Sequence, residues 1–238
     1  MDINHWPNNF INEWISPFWQ IIALWFLVLA VMRMGKFGIA LKNFNTLFHE
    51  IGHALMSLLF SGQVHKIELH NNAGGVAVTS NKSWISQFMV SIAGYPAGAA
   101  AGWAMFTQLP KLNSEYQVYV LLGIFSISLV LWVRNKYGMV WMIANCLWLG
   151  AVIYWQLYTA FSIYLFVVAS CVMIESVWSV LLLVYISAED PASAGDAQNL
   201  RELTFLPAII WALVLTALTL FLFNLTLSGV IGWHIPLP

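Results

Sequence analysis

The residues of this chain best suited to chemistry are His49, Glu50 and His53, which form a His-Glu-x-x-His pattern. On an α-helix, side chains four positions apart lie on one face about a turn from each other, so both imidazoles can reach one metal ion. Glu50 then lies beside the fourth coordination position of a tetrahedral site. The pattern therefore indicates a Zn²⁺ site.

The composition indicates that lipid surrounds most of the side chains. Of the 238 residues, 61% are apolar and only 8% are charged, whereas about a quarter of the residues of a soluble domain are charged. We therefore expect an integral membrane protein with one domain, residues 1–238, and no room for a separate soluble domain. The net charge of −1 comes with no polybasic arm, so nucleic acid is not an expected partner.

Seven apolar segments are long enough, or nearly so, to cross about 30 Å of hydrocarbon. They are residues 17–33, 38–60, 84–107, 116–133, 138–156, 160–187 and 203–227. Lys42, Asn43 and Asn45 interrupt the second segment, which is therefore a tilted span or a half-penetrating helix, and six crossings are the alternative. We predict an all-α polytopic bundle of about six to seven transmembrane helices.

A β-hairpin is predicted directly after the helix that carries the histidines. Polar and apolar residues alternate over 63–70, turn residues follow at 71–75, and 75–79 is again β-prone. An open strand edge cannot face lipid, so the hairpin must lie at the interface or among helices near the metal. There it could bind an extended peptide by strand addition; the alternative is an ordinary polar connection.

Two further features concern helix packing. Gly94, Gly98 and Gly102 recur every four residues in the third segment and predict a seam at which a neighbouring helix approaches closely. Glu175 lies within the sixth segment, where a carboxylate needs a partner such as Arg134 or stays neutral. We expect a polar contact within the helix bundle; a catalytic or substrate-gating role is the alternative.

A catalytic zinc usually has three protein ligands, so the histidine pair needs one more from elsewhere in the chain. The candidates are His65, Glu68, His70, Glu175, Glu189, Asp190, Asp196 and Glu202. Asp196 is attractive because the segment 195–200 breaks the apolar pattern just where a helix leads into the bilayer.

Several motifs together resemble a known family. They are the segment 48–55 around the histidines, the glycines 74–75 of the hairpin, the segment 91–95, the segment 133–135 with its Arg-Asn pair, and the segment 196–207. The chain resembles the site-2 protease family of intramembrane zinc metallopeptidases, most closely a small bacterial branch, from about residue 20 to 225. Better-known members carry a Leu-Asp-Gly or Pro-Asp-Gly motif, which this chain lacks.

The resemblance implies roles for particular residues. His49 and His53 would be zinc ligands, Glu50 the general base, and Asp196 the third ligand. The activity implied is zinc-dependent hydrolysis of peptide bonds in membrane-anchored proteins or peptides, by a multi-pass protein among the lipids of a bacterial inner membrane. Two other functions remain open at this point: a zinc hydrolase acting on a lipid or small amphiphile, and a non-proteolytic membrane scaffold.

Overall fold

The structure is a computed structural model that describes residues 18–231, with the side chains of residues 22–230. Its helices are α1 (Phe18–Met32), α2 (Gly35–Leu59), α3 (Trp84–Thr107), α4 (Ser114–Leu131), α5 (Lys136–Trp155), α6 (Tyr158–Glu189), α7 (Gly195–Thr204) and α8 (Ala208–Ile231). Strands β1 (Gln63–Leu69) and β2 (Gly75–Ser80) lie between α2 and α3. The predicted helical architecture with a small hairpin is confirmed.

Each predicted apolar segment is a helix in the described part of the chain, and its ends lie within a few residues of the prediction. The exception is the segment 203–227, which is divided between two helices. Its first residues end the short helix α7, and the apolar helix α8 begins only at Ala208. Pro207 separates the two helices, because a proline disfavours helical conformation in the residue before it.

Fewer helices qualify as membrane spans than the six to seven predicted. Four described helices, α4, α5, α6 and α8, are both long and apolar enough to cross a bilayer. Helices α1 and α2 meet at a 115° bend and together provide a fifth candidate. Polar residues in α2 and small residues in α3 lower the apolarity of these helices, although α3 has 24 residues and could extend about 36 Å.

The hairpin is antiparallel, with Gln63 opposite Ser80 at one end and Leu69 opposite Gly75 at the other. Its β1 edge is covered by the connection between α4 and α5. There the Ile67 N–H donates to the Trp132 carbonyl (2.8 Å), and the Arg134 N–H donates to the Ile67 carbonyl (3.1 Å). The other edge of the hairpin, that of β2, faces the cleft described below.

Arg134 and Asn135, the Arg-Asn pair of the sequence, connect the hairpin to the end of α4 and the start of α5. The Arg134 guanidinium donates to main-chain carbonyls at the end of α4, including those of Val130 and Leu131. The Asn135 amide bonds to both the N–H and the carbonyl of Leu69, which fixes the end of β1 against α5. Arg134 is thus a helix cap, and the prediction that it partners Glu175 is wrong. Glu175 instead pairs with Lys42 on α2, whose Nζ lies 3.9 Å from Oε1.

Helix α3 lies against α2, α6 and α8 and provides the surface on which α2 rests. The predicted close packing at its glycines is present. A Cβ atom at Gly98 would lie 2.5 Å from Asn45 Oδ1, and that oxygen accepts a 2.8 Å hydrogen bond from Ser176 of α6. The missing side chain therefore allows α2, α3 and α6 to meet around one polar contact.

Candidate active site

Helix α2 places the predicted histidines and glutamate on its buried face. Glu50 and His53 are buried, at 5% and 8% exposure, and His49 is half-buried. Nε2 of His49 and Nε2 of His53 are 3.0 Å apart, and the two rings meet nearly at right angles. The helical spacing has therefore brought both imidazoles to a single point, as the sequence predicted.

Helix α3 supplies the space for these imidazoles and also orients one of them. A Cβ atom at Gly94 would lie 2.5 Å from both His49 Cε1 and His53 Nε2, so no larger residue fits there without moving the rings. His53 Nδ1 lies 2.7 Å from the Val90 carbonyl oxygen. Because a carbonyl only accepts, Nδ1 carries the hydrogen, and Nε2 of the neutral ring presents its lone pair to the site.

Asp196 comes to the same point from the far end of the chain. It lies in the first turn of α7, directly after Gly195, whose φ of +49° suits glycine. Its Oδ2 atom is 3.4 Å from His49 Nε2 and 3.3 Å from His53 Nε2. Ligand atoms of these three residues lie within 4.8 Å of one another, close enough to bind one metal ion.

The Asp196 carboxylate is held in the ionised form. Burial by itself would raise its pKa, but the imidazoles of His53 and His49, when they are protonated, outweigh burial and hold the pKa of this carboxyl below its usual range. Oδ2 is nevertheless buried with no hydrogen-bond partner among the described residues. A buried carboxylate oxygen without a donor is suited to a cation.

Strand β2 runs beside Glu50. A Cβ atom at Gly75 would lie 2.8 Å from Glu50 Oε1, so glycine allows the strand to approach this carboxylate closely. Thr46, one turn earlier on α2, donates a 2.8 Å hydrogen bond to the Ala73 carbonyl in the hairpin turn. The helix and the hairpin are thus fixed to each other next to the candidate metal ligands.

Two cavities meet at these residues. The larger, of about 550 Å³, lies between β2 and α7 and is lined by His49, Glu50, His53 and Asp196 with Val76 and Asn199 among its walls. The smaller, of about 180 Å³, extends from His49 and Glu50 past Asn45 to Glu175 and Ser179. The candidate site therefore lies in a cleft that extends in two directions.

The other candidate third ligands have different contacts. His65 Nε2 is 2.6 Å from Ser80 Oγ, and Glu68 accepts a 2.7 Å hydrogen bond from Lys66. Asp190 accepts from Ser193, and Glu202 accepts from Gln198 at the rim of the cleft. In the part of the chain that the structure describes, Asp196 alone of the eight candidates joins the two histidines in a possible metal-binding group.

Sequence reasoning missed two contributors to the site. Tyr95 packs edge-on against His49, with ring centroids 4.7 Å apart, and the Val90 carbonyl orients His53. Tyr95 ends the segment 91–95, one of the motifs of the family resemblance, but no role was predicted for it. No side-chain signal could have indicated Val90, because its contribution is a main-chain oxygen.

Comparison with known proteins agrees with the geometry. A family model described as Peptidase M50B-like matches residues 21–226. The search of curated proteins and the search of solved structures gave no match. Several helices apolar enough to span a membrane accord with a multi-pass membrane protein. The chain therefore belongs to the Peptidase M50B-like family, the site-2 protease family of intramembrane metallopeptidases.

Proposed function

We propose that this protein is an intramembrane zinc metalloprotease that hydrolyses peptide bonds of membrane-anchored proteins or peptides. His49, His53 and Asp196 would hold Zn²⁺, and Glu50 would be the general base. One observation carries the proposal: the unpartnered, buried Asp196 Oδ2 converges with two imidazole nitrogens next to Glu50.

The donor set fits zinc. Tetrahedral ligands about 2.0–2.1 Å from Zn²⁺ lie roughly 3.3 Å from one another, and the three donor pairs here are 3.0, 3.3 and 3.4 Å apart. Two imidazoles and one carboxylate, with no thiolate, leave a fourth position open, as in catalytic rather than structural zinc sites. The Val90 carbonyl gives His53 the second-shell partner typical of a zinc-bound histidine.

The proposed reaction assigns proton transfer to Glu50. When bound, the metal would acidify a water molecule and polarise the peptide carbonyl. The Glu50 carboxylate would take the proton from that water and deliver it to the departing amide nitrogen. Glu50 is buried between α2 and the hairpin, and the close approach of Gly75 restricts the orientation of this carboxylate.

The free edge of β2 supports an extended substrate. Because segment 132–134 already covers β1, the hairpin can take a third strand only along β2, which borders the larger cavity. A helical substrate would have to unwind before cleavage, since its amides are engaged in helical hydrogen bonds. If the unwound substrate paired with β2 as an added strand, its main-chain amides would form new hydrogen bonds with β2 in place of the helical ones. The substrate would then lie beside Glu50.

The smaller cavity supports a route for water. It joins Glu50 to polar side chains of α2 and α6, among them Asn45, Glu175 and Ser179. Ionisable groups within a bilayer face protein or water. Lys42 and Glu175 face each other, with Nζ 3.9 Å from Oε1.

We also propose that the protein works as a single domain, residues 1–238, in the inner membrane of a bacterial cell.

The test compares Glu50→Gln with wild-type protein on a membrane-anchored peptide in lipid vesicles. Glu50→Gln should retain about one zinc ion and lose more than about 10²-fold in turnover, the lower range for general base catalysis. Glu68→Gln is the matched control, because this half-buried carboxylate pairs with Lys66 and does not line the cleft, so the change should leave turnover unchanged.

Other outcomes would favour the other functions. Zinc-dependent turnover of lipid esters but not peptides would identify a lipid hydrolase. A cellular phenotype that survives Glu50→Gln would identify a scaffold. Either result contradicts the proposed proteolysis.

A further inference from the structure

Tyr95 occupies a position that the proposed mechanism has not used. It borders both cavities of the cleft, as His49 and Glu50 also do. Its ring lies 4.7 Å from the His49 ring at an angle of 86°. The carboxylates of Asp196 and Glu50 lie close enough for their negative charges to act on the phenol. Tyr95 therefore lies where the larger and smaller cavities meet, next to the candidate zinc ligands.

The ring of Tyr95 is held in place while its hydroxyl is uncommitted. The ring packs against a buried apolar cluster that includes Leu183 of α6 and Ala197 of α7. A phenol that is largely buried usually finds a hydrogen-bond partner. Among the described residues the Tyr95 hydroxyl forms no hydrogen bond. It is a donor on a packed ring, and it has no acceptor among the residues that the structure describes.

Two neighbouring amides of the cleft already form hydrogen bonds within the protein. The Asn81 amide donates to Thr79 Oγ1 at 2.9 Å, and the Gln87 amide donates to the Asn81 carbonyl at 3.1 Å. Asn199 is exposed, on the side of the cleft formed by α7. Tyr95 combines a free donor, a fixed ring and contact with a candidate zinc ligand.

We propose that Tyr95 is a further catalytic residue, whose hydroxyl donates a hydrogen bond to the oxygen of the scissile carbonyl. This inference rests on the proposed proteolysis. As the water oxygen bonds to the carbonyl carbon, the π electron pair moves onto the carbonyl oxygen, which becomes an oxyanion. Tyr95 would stabilise that charge without giving up its proton, because a tyrosine phenol stays protonated at neutral pH. The pair returns when the C–N bond breaks and the nitrogen receives the proton from Glu50.

The first test is Tyr95→Phe, which keeps the aromatic ring beside His49 and removes only the hydroxyl. We expect zinc content and KM to stay unchanged and kcat to fall about 10²- to 10³-fold, the effect of removing one oxyanion donor. Tyr185→Phe is the matched control. Tyr185 is 63% exposed on α6 and does not line the cleft, so its loss should leave kcat unchanged.

A second measurement uses binding rather than turnover. A peptide phosphonate carries a charged tetrahedral group in place of the scissile carbonyl and mimics the oxyanion. Tyr95→Phe should weaken its binding at least about tenfold, while the parent peptide amide binds as before. An equal loss for both ligands would show that Tyr95 only shapes the cleft and would overturn the proposal.

The remaining outcomes are separable. Wild-type kcat in Tyr95→Phe, with Glu50→Gln inactive on the same peptide, would refute the role of Tyr95 and leave the protease intact. Loss of zinc from Tyr95→Phe would also overturn the proposal, because the residue would then act by supporting His49. Zinc-loaded wild-type protein that cleaves no peptide would instead refute the proposed function itself.

Discussion

Gly94→Ala provides a sharp test of how α3 supports the candidate metal site. The added Cβ would lie 2.5 Å from His49 Cε1 and from His53 Nε2, and 2.6 Å from His49 Nε2, where ordinary contacts are 3.4–4 Å. Relief therefore requires the imidazoles or α3 to move by about 1 Å, since the overlap lies on the repulsive side of the van der Waals well. A displacement of that size can cost about 10²-fold in rate.

We expect Gly94→Ala to lose at least about 10²-fold in peptide turnover, and zinc affinity to fall about tenfold or more, as for other disturbances around metal ligands. Zinc affinity would be measured by competition with a chromophoric chelator, and turnover on a vesicle-bound peptide. Gly123→Ala and Gly150→Ala are the controls, because a Cβ atom at either position meets no atom within 4 Å.

The controls should retain wild-type zinc affinity and turnover. Thermal unfolding of all three variants in the same detergent separates a local effect from misfolding. If Gly94→Ala matches the controls in both affinity and turnover, the close approach of α3 to the imidazoles does not position them, and the reasoning is refuted.

Two further predictions concern the surrounding structure. Asn135→Ala should lower the free energy of unfolding by about 1–3 kcal/mol, because the N–H and carbonyl of Leu69 lose their partner; an unchanged denaturation midpoint would contradict this anchor. Lys42→Met should destabilise by a similar amount, about 1–3 kcal/mol, because Glu175 is left without its nearby cation. This is less than the roughly 3–5 kcal/mol for a fully buried ion pair, since the pair is partly exposed and 3.9 Å apart. Adding Glu175→Leu should restore stability, and failure of the double variant to recover would show that the two charges are not coupled.

Local patterns predicted much of the fold. Apolar runs of suitable length identified the helices, because lipid exposure and helical hydrogen bonding impose the same requirement along each span. Alternation over 63–70 and the turn residues that follow identified the hairpin. The convergence of His49 and His53 also depends only on helical geometry, which is local.

Features that depend on distant contacts were harder to predict. Because of the 115° bend between α1 and α2, these two helices together provide at most one candidate span. The angle between two helices cannot be predicted from the composition of either one. Lys42, rather than Arg134, faces Glu175. The Arg134 guanidinium instead donates hydrogen bonds to nearby main-chain carbonyls of α4. The short helix α7 was missed because its ten residues carry little apolar signal.

The third metal ligand, Asp196, is the part of the site that could not be chosen from the sequence pattern alone. It lies 143 residues after His53 along the chain, and sequence spacing cannot say which of several distant carboxylates returns to the histidines. Three features of the fold bring it there: the length of α6, the turn at Pro191–Ser193 and the left-handed Gly195. The proline and the glycine indicate a turn, but neither residue type indicates where that turn lies relative to the histidines.

Elemental analysis of active protein tests the central claim most directly, because the whole proposal requires one zinc ion held jointly by His49, His53 and Asp196. Protein purified without chelator should contain about one zinc per chain. Asp196→Ala, folded by the criterion of thermal unfolding, should lose most of that zinc together with peptide turnover. Full peptidase activity in wild-type protein free of transition metal, or undiminished zinc affinity in Asp196→Ala, would contradict the claim.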